Sequence, residues 1–439
     1  MPSLNLVLEP VASPGVMAAK LWTCGGSSAD PQDQRGAHNL LGSLLSRGCG
    51  PFNHLELADL VEGCGAGLRC DTHEDGTLIS LKCLEEDADQ LLPLIGWMLI
   101  DPHLDPDQIN LEKDLCLQAL QRQREDPFHL AFDGWRQLAY GHGPYGHDPL
   151  GLSNELSRID REQLKPLANN LAASMPILAL AGSLPDTLEQ KLLDMEPFQA
   201  LTAAAAAAAA TAAAAARTSS PTTASGTSSP LQSRPLPENP STLSLTPEPT
   251  NQVVIMIGQP TLEHGHDDDL ALRLLQCHLG QGMSSLLFRR LREEHGVAYD
   301  VGVHHPARRA AAPFVFHAST SEDRAQLSLS LLLESWWEMS SGTLSAEDMA
   351  LAKAKFRGHL AHSCQTTGQR AERRAQLRGL GLPDDQDLRN LEAIEAMGSD
   401  DLQQAARRHL QSPLLSLCGP EKTLTELGRS WQARPAQPS

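Results

Sequence analysis

Hydrophobic positions along the 439-residue chain follow one order of periods twice. In the first half, apolar runs of strand length stand near 15–24, 66–72 and 77–83, while a 3.6-residue period marks helices near 36–47, 54–63, 87–100 and 106–124. In the second, strands are predicted near 252–258, 297–303 and 313–319, and helices near 267–279, 284–295, 324–340 and 346–364. Both halves read strand, two helices, two strands, two helices, which implies a duplication. Capping chemistry agrees at the two long helices. Asp105-Pro106 puts a cap before a first-turn proline, and Ser345-x-x-Asp348 is a capping-box pattern. Adjacent hairpin strands combined with helices predict an α+β fold: two similar domains, each a mostly antiparallel sheet with helices packed on one face.

Between the halves the composition changes. Alanine runs at 203–210 and 212–216 lead into a stretch rich in Pro, Ser and Thr. Such a stretch buries too little apolar surface to offset its ordering entropy, so 202–250 reads as a linker between domains 1–201 and 251–439. The alanine tract alone could extend the helix before it. A proline-rich docking segment is the other reading of this region.

Composition narrows the function. With 35 Lys+Arg against 54 Asp+Glu the formal net charge is −19, which argues against nucleic acid and anionic membrane as partners. Aromatic residues make up 4% of the chain, too few for a base-stacking platform. The N-terminal stretch has no basic segment leading into an apolar core, and the longest strongly apolar run, 91–100, is half a membrane span, so a soluble cytoplasmic protein is expected. The nine cysteines form no C-x-x-C pair and fit reduced, small buried residues.

The segment Gly36-Ala37-His38-Asn39-Leu40-Leu41-Gly42-Ser43-Leu44-Leu45 resembles the part of the pitrilysin, insulinase and processing-peptidase zinc metallopeptidases that carries the inverted motif H-x-x-E-H. That motif works because two histidines at i and i+4 share one helix face and chelate zinc, while the glutamate activates the metal-bound water. On the matching positions His38 keeps the first histidine, Leu41 stands where the base belongs, and Gly42 replaces the second histidine. The family's third ligand comes from a later helix, similar to Glu112-Lys113-Asp114-Leu115-Cys116-Leu117-Gln118-Ala119-Leu120, where Ala119 takes the ligand's place. Arg124-Glu125-Asp126-Pro127 and His142-Gly143-Pro144-Tyr145-Gly146 look like the family's downstream loop. One imidazole without a carboxylate or a second histidine cannot hold zinc against water, so no cofactor is expected in this chain and His38 reads as a relic of the motif or a core residue. A rebuilt site from His54, His73, Cys49 or Cys70 finds no pair at helical chelating spacing.

The stretch from Leu279 to Tyr299 resembles the family's second domain closely. There a glycine-rich turn starts a helix bearing an arginine, a glycine breaks the helix, and a tyrosine follows the arginine by seven residues. Arg292, Gly296 and Tyr299 match. In the family this pair hydrogen-bonds the substrate backbone opposite the zinc site, and a guanidinium fork with a phenol suits that task. Taken without the resemblance, Arg292 reads as a solvated helix charge beside Glu293 and Glu294, and Tyr299 as a core residue. Gly280-Gln281-Gly282 lacks the lysine of a phosphate-binding loop, which argues against nucleotide. The resemblance runs from about 16 to about 382, interrupted by the linker. It implies a non-catalytic, substrate-binding subunit that forms a heterodimer with a homologous active zinc metallopeptidase subunit and takes peptides or unfolded segments. A peptide-binding or structural scaffold without proteolysis, and an autonomous metallopeptidase with a non-standard metal site, are the alternatives.

Overall fold

The computed structural model describes residues 4–218 and 241–433. They form two compact units that are not contiguous in sequence. The first contains the chain up to Leu120, the stretch that starts at Asp148, and His362–Asp384. The second contains Gln121–His147, the stretch that ends at Ala361 and carries the second sheet, and the chain from Asp385. Each sequence half therefore lends one segment to the other's unit.

In the first unit the strands are β1 (Asn5–Pro10), β2 (Val16–Cys24), a short hairpin of β3 (Gly48–Cys49) and β4 (Phe52–Asn53), then β5 (Gly67–Thr72), β6 (Gly76–Leu84) and β7 (Ile177–Gly182). The main sheet runs β1-β7-β2-β6-β5. All its neighbours are antiparallel except β1 and β7. Alternation along β2 and β6 sends Met17, Leu21, Ile79 and Leu81 to one face. There they meet Leu40, Leu41 and Leu44 of the helix Ala37–Leu44 and the apolar side of the helix Ala88–Ile100.

The second unit repeats this plan with β8 (Leu243–Pro247), β9 (Gln252–Pro260), β10 (Asp300–His304), β11 (Pro313–Ser321) and β12 (Leu414–Gly419). Their order, β8-β12-β9-β11-β10, matches the first sheet strand for strand, including the one parallel pair, β8 with β12. β8 corrects the linker reading: residues 243–247, inside the stretch 202–250, are an edge strand, and Leu243 packs on the core. The alanine runs lie in the helix Glu196–Thr218. Positions 219–240, the rest of the Pro/Ser/Thr-rich stretch, lie outside the described residues.

Most helices pack on one face of each sheet, and the other face carries one borrowed helix. Pro127–Tyr140 starts at Asp126, whose side chain accepts from Phe128 N at 2.9 Å, with Pro127 in the first turn. Its Ala131 and Trp135 pack on Val254, Met256 and Val315, and Trp135 Nε1 donates to Gly258 O at 3.1 Å. The counterpart, Thr367–Gly379, is capped by a reciprocal Thr366/Gln369 box. Its Ala371 and Ala375 pack on Val7, Trp22, Leu78 and Ala179. Gly379 lies beneath the Trp22 indole, where an added Cβ would stand 2.4 Å from Nε1. The close approach needs glycine there.

Candidate functional site

The helix Ala37–Leu44 begins at a left-handed turn. Gly36 has φ +101°, and a Cβ there would meet Leu150 O at 2.7 Å. Asp30 serves as the cap from a distance in sequence, accepting from Gly36 N at 2.7 Å and from His38 N at 2.9 Å. The same carboxylate lies 2.8 Å from His38 Nδ1. His38 is 4% exposed and joins the helix start to the Asp30 loop. Leu41 is fully buried in the apolar core. Gly42 faces β5, and a Cβ added to it would lie 2.3 Å from Thr72 Oγ1 and 3.7 Å from Cys70 Sγ. Thr72 is held in turn by its hydroxyl, which donates to His38 O at 3.2 Å.

Ala119 is partly exposed on the helix Pro106–Gln123, whose buried side is Ile109, Glu112, Cys116 and Leu120. Asn39 Nδ2 approaches Cys116 Sγ at 3.6 Å, so this helix docks beside the helix Ala37–Leu44. Glu112 accepts from Arg47 Nε at 2.6 Å. Burial, with Glu112 nearby, pushes the Cys116 thiol up to about 11, which keeps it protonated. His73 stacks on Trp22 at 6.1 Å, Cys49 is buried with its thiol pushed up to about 12, and His54 opens the helix His54–Gly63. Among the described residues, no group of three or more His, Cys, Asp or Glu is placed to hold a metal ion.

At the other sequence-predicted site, the glycine-rich turn is a close-packing device. A Cβ on Gly280 would lie 2.5 Å from Val303 N. The segment Phe288–Glu294 that follows is wound as a π-helix, a wide turn often found at functional positions. Gly296, at φ +60°, ends it, and Val297 N donates back to Leu291 O at 2.8 Å. Buried Leu291, Val297 and Ala298 anchor the turn, and Tyr299 N donates to Ser319 O at 2.8 Å. Arg292 and Tyr299 are thereby brought together. Arg292 Nη1 donates to Tyr299 O at 3.1 Å, and its guanidinium lies 5.1 Å over the Phe288 ring. Tyr299 is 67% exposed, so it does not serve as a core residue. Sequence reasoning missed the neighbours Asp300 and His317, 3.2 Å apart across the β10–β11 pair. The close approach of the His317 imidazole, helped by the Arg292 charge, holds the Asp300 carboxyl below its ordinary value. Cross-strand partners of this kind carry no local signal, because their proximity depends on register.

Residues 9–150 match the family model described as Insulinase (Peptidase family M16), and residues 206–356 match the one described as Peptidase M16 inactive domain. The chain belongs to peptidase family M16. Among M16 relatives, it is 20% identical over 371 residues to an uncharacterized zinc protease of Bacillus subtilis, covering 84% of each chain. It is also 27% identical over 188 residues to the mitochondrial-processing peptidase subunit beta of Neurospora crassa, covering 42% of this chain and 39% of that one. Among solved structures, a peptidase M16 inactive domain from Pseudomonas fluorescens aligns with a TM-score of 0.82 at 18% identity, over 95% of this M16 chain and 96% of its own. A protease from Helicobacter pylori aligns with a TM-score of 0.79 at 15% identity, over 94% and 97%.

Proposed function

We propose that this M16 chain is a non-catalytic, substrate-binding subunit, and that its Arg292/Tyr299 pair holds peptide backbone for a homologous, zinc-bearing sister subunit in a cytoplasmic heterodimer. The observation that carries the reading is the contrast between the two sites. At the motif, the positions of the base and two ligands hold a core leucine, a glycine pressed against Thr72, and an alanine. The remaining imidazole is engaged with Asp30. This donor set does not fit zinc, which takes at least three protein ligands in a catalytic site, so the metal and the water it activates belong to the sister. At the second site, Arg292 and Tyr299 are exposed and joined by a hydrogen bond from the guanidinium to the tyrosine backbone. A guanidinium has five N–H donors, so one bond to Tyr299 O leaves others for peptide carbonyls. Anchoring it in advance lowers the entropy cost of positioning substrate. No helix among the described residues is long and apolar enough to cross a membrane.

The test is a reconstituted complex with the zinc-bearing sister. Arg292→Ala and Tyr299→Phe should each lower kcat/KM while zinc content and assembly stay constant. Losing a charge-assisted hydrogen bond costs about 1–3 kcal/mol, or about five- to hundredfold, with the phenol change at the smaller end. Arg292→Lys should not rescue, since an ammonium lacks the fork. Full activity of the assembled double mutant would remove the substrate-holding role and leave a scaffold.

A further inference from the structure

The duplicated units provide an internal control for one cavity. In the first unit the borrowed helix Thr367–Gly379 lies over β1, β7 and β2 and reaches β6 at Leu78, but it leaves the outer face of the edge strand β5 and of β6 near Ser80 and Lys82 uncovered. Register places two rows of side chains there. One row runs Gly67, Lys82, Ala18, and the next runs Arg69, Ser80, Lys20. Together with Gly368 in the first turn of the helix they line a cavity of about 280 Å³. In the second unit the equivalent space is filled. Phe128, two residues past the cap Asp126, packs edge-on to His317 at 5.2 Å, and Phe132, six past the cap, packs on His304 at 5.2 Å. Two and six residues past the cap Thr366, the first unit has Gly368 and Glu372. The cavity therefore exists because a phenyl ring in one copy is a hydrogen atom in the other.

Its walls are also charged differently. Lys20, 6% exposed, donates to Ser80 Oγ at 2.9 Å and to Glu372 Oε2 at 2.8 Å. Arg69 pairs with Asp71 at 2.9 Å. Lys82, exposed on the rim, forms no ion pair among the described residues and leaves the cavity with an uncompensated positive charge. On a chain of net charge −19 this is a local reversal of sign. A buried lysine, costly to desolvate, keeps its position here through one hydroxyl and one carboxylate.

We propose that this cavity is a binding site for an aromatic carboxylate, the ring taking the place that Phe128 fills in the other unit and the carboxylate meeting Lys82 and Lys20. The volume is near the lower end for small-ligand pockets, enough for one ring and its acid group. The ligand comes either from a free aryl acid or from a peptide ending in an aromatic residue. The site is separate from the Arg292/Tyr299 pair, and its binding is measurable on the isolated chain.

Calorimetric titration of the full-length protein at low salt tests it, with 3-phenylpropionate as the free acid, acetyl-Gly-Gly-Phe as the peptide terminus, the C-terminal amide of that peptide, and inorganic phosphate. One site per chain for either carboxylate, with the amide and phosphate at least about tenfold weaker, is the expected result, and the tighter of the two acids identifies the source. Gly368→Phe should abolish binding without loss of thermal stability, because a Cβ there meets only Thr366 Oγ1, at 4.0 Å. Should that variant unfold, the surface change Lys82→Glu decides, with at least about tenfold weakening expected. Wild-type affinity in Lys82→Glu, equal binding of the amide, or no binding of either acid would overturn the proposal.

Discussion

Gly42→Ala measures how tightly the helix Ala37–Leu44 is packed against β5 at position 42. The new methyl gains about 1 kcal/mol of helix propensity over glycine. Against this, it would stand 2.3 Å from Thr72 Oγ1, well inside contact distance. Thr72 sits on β5 and is tied to His38 O, so it yields only by breaking that bond or by moving a strand. Overpacking of this kind costs about 1–3 kcal/mol, which leaves a net loss between zero and about 2 kcal/mol. Because the net is small, the informative quantity is the coupling with Thr72. Thr72→Ala alone should lose about 1 kcal/mol with its hydrogen bond. In the double mutant the clash is gone, and the alanine at 42 contributes its helical gain. The coupling energy should be about 1–3 kcal/mol in favour of the double mutant, read from urea midpoints. In thermal scans each kcal/mol corresponds to about 2–4 °C for units of this size. Additivity within about 0.5 kcal/mol would show that Thr72 does not occupy the space and would refute the reasoning. A histidine at 42 carries the same Cβ. The restored set Leu41→Glu, Gly42→His and Ala119→Glu should therefore stay low in zinc unless Thr72 is shortened as well.

Elemental analysis of the wild-type chain should find no stoichiometric zinc, and about one zinc per chain, lost with His38→Ala, would reverse the functional reading. His304, packed against Phe132, is held neutral down to about pH 3 by burial, with Arg308, His317 and Arg136 adding to the effect. The unfolded chain takes up that proton near pH 6.5, so stability should fall as pH drops from about 6.5 to about 3, by at most about 1.4 kcal/mol per pH unit, and His304→Gln should flatten the slope. Deleting 203–248 removes β8 and should destabilise the second unit, whereas a deletion that ends at 240 should preserve its melting temperature. Equal melting of the two shortened proteins would show that β8 contributes nothing.

The parts of this fold that the sequence displays are those whose partners are near in the chain. The helix His54–Gly63 and the hairpin of β5 and β6 follow from period and turn spacing, and the duplication follows from their repetition. β1, β7, β8 and β12 do not. β1 and β8 are short edge strands, and their parallel partners lie more than 160 residues away, so no local pattern marks them. The borrowed helices are hidden for a related reason: an apolar stripe of Ala371 and Ala375 declares a buried face but not which sheet it covers. At the candidate site positions the same division holds. Arg292 and Tyr299 were legible because helix, glycine break and strand follow within eight residues, and the turn that joins them is local. Gly42 was legible only as a missing histidine. Its physical meaning depends on Thr72, 30 residues on, whose hydroxyl occupies the space beside the helix and binds the carbonyl of the one histidine that remains. A histidine placed at 42 would therefore meet a steric cost from Thr72. Packing against Thr72, as well as the absence of donor side chains at 41 and 42, thus opposes a metal ligand at this position.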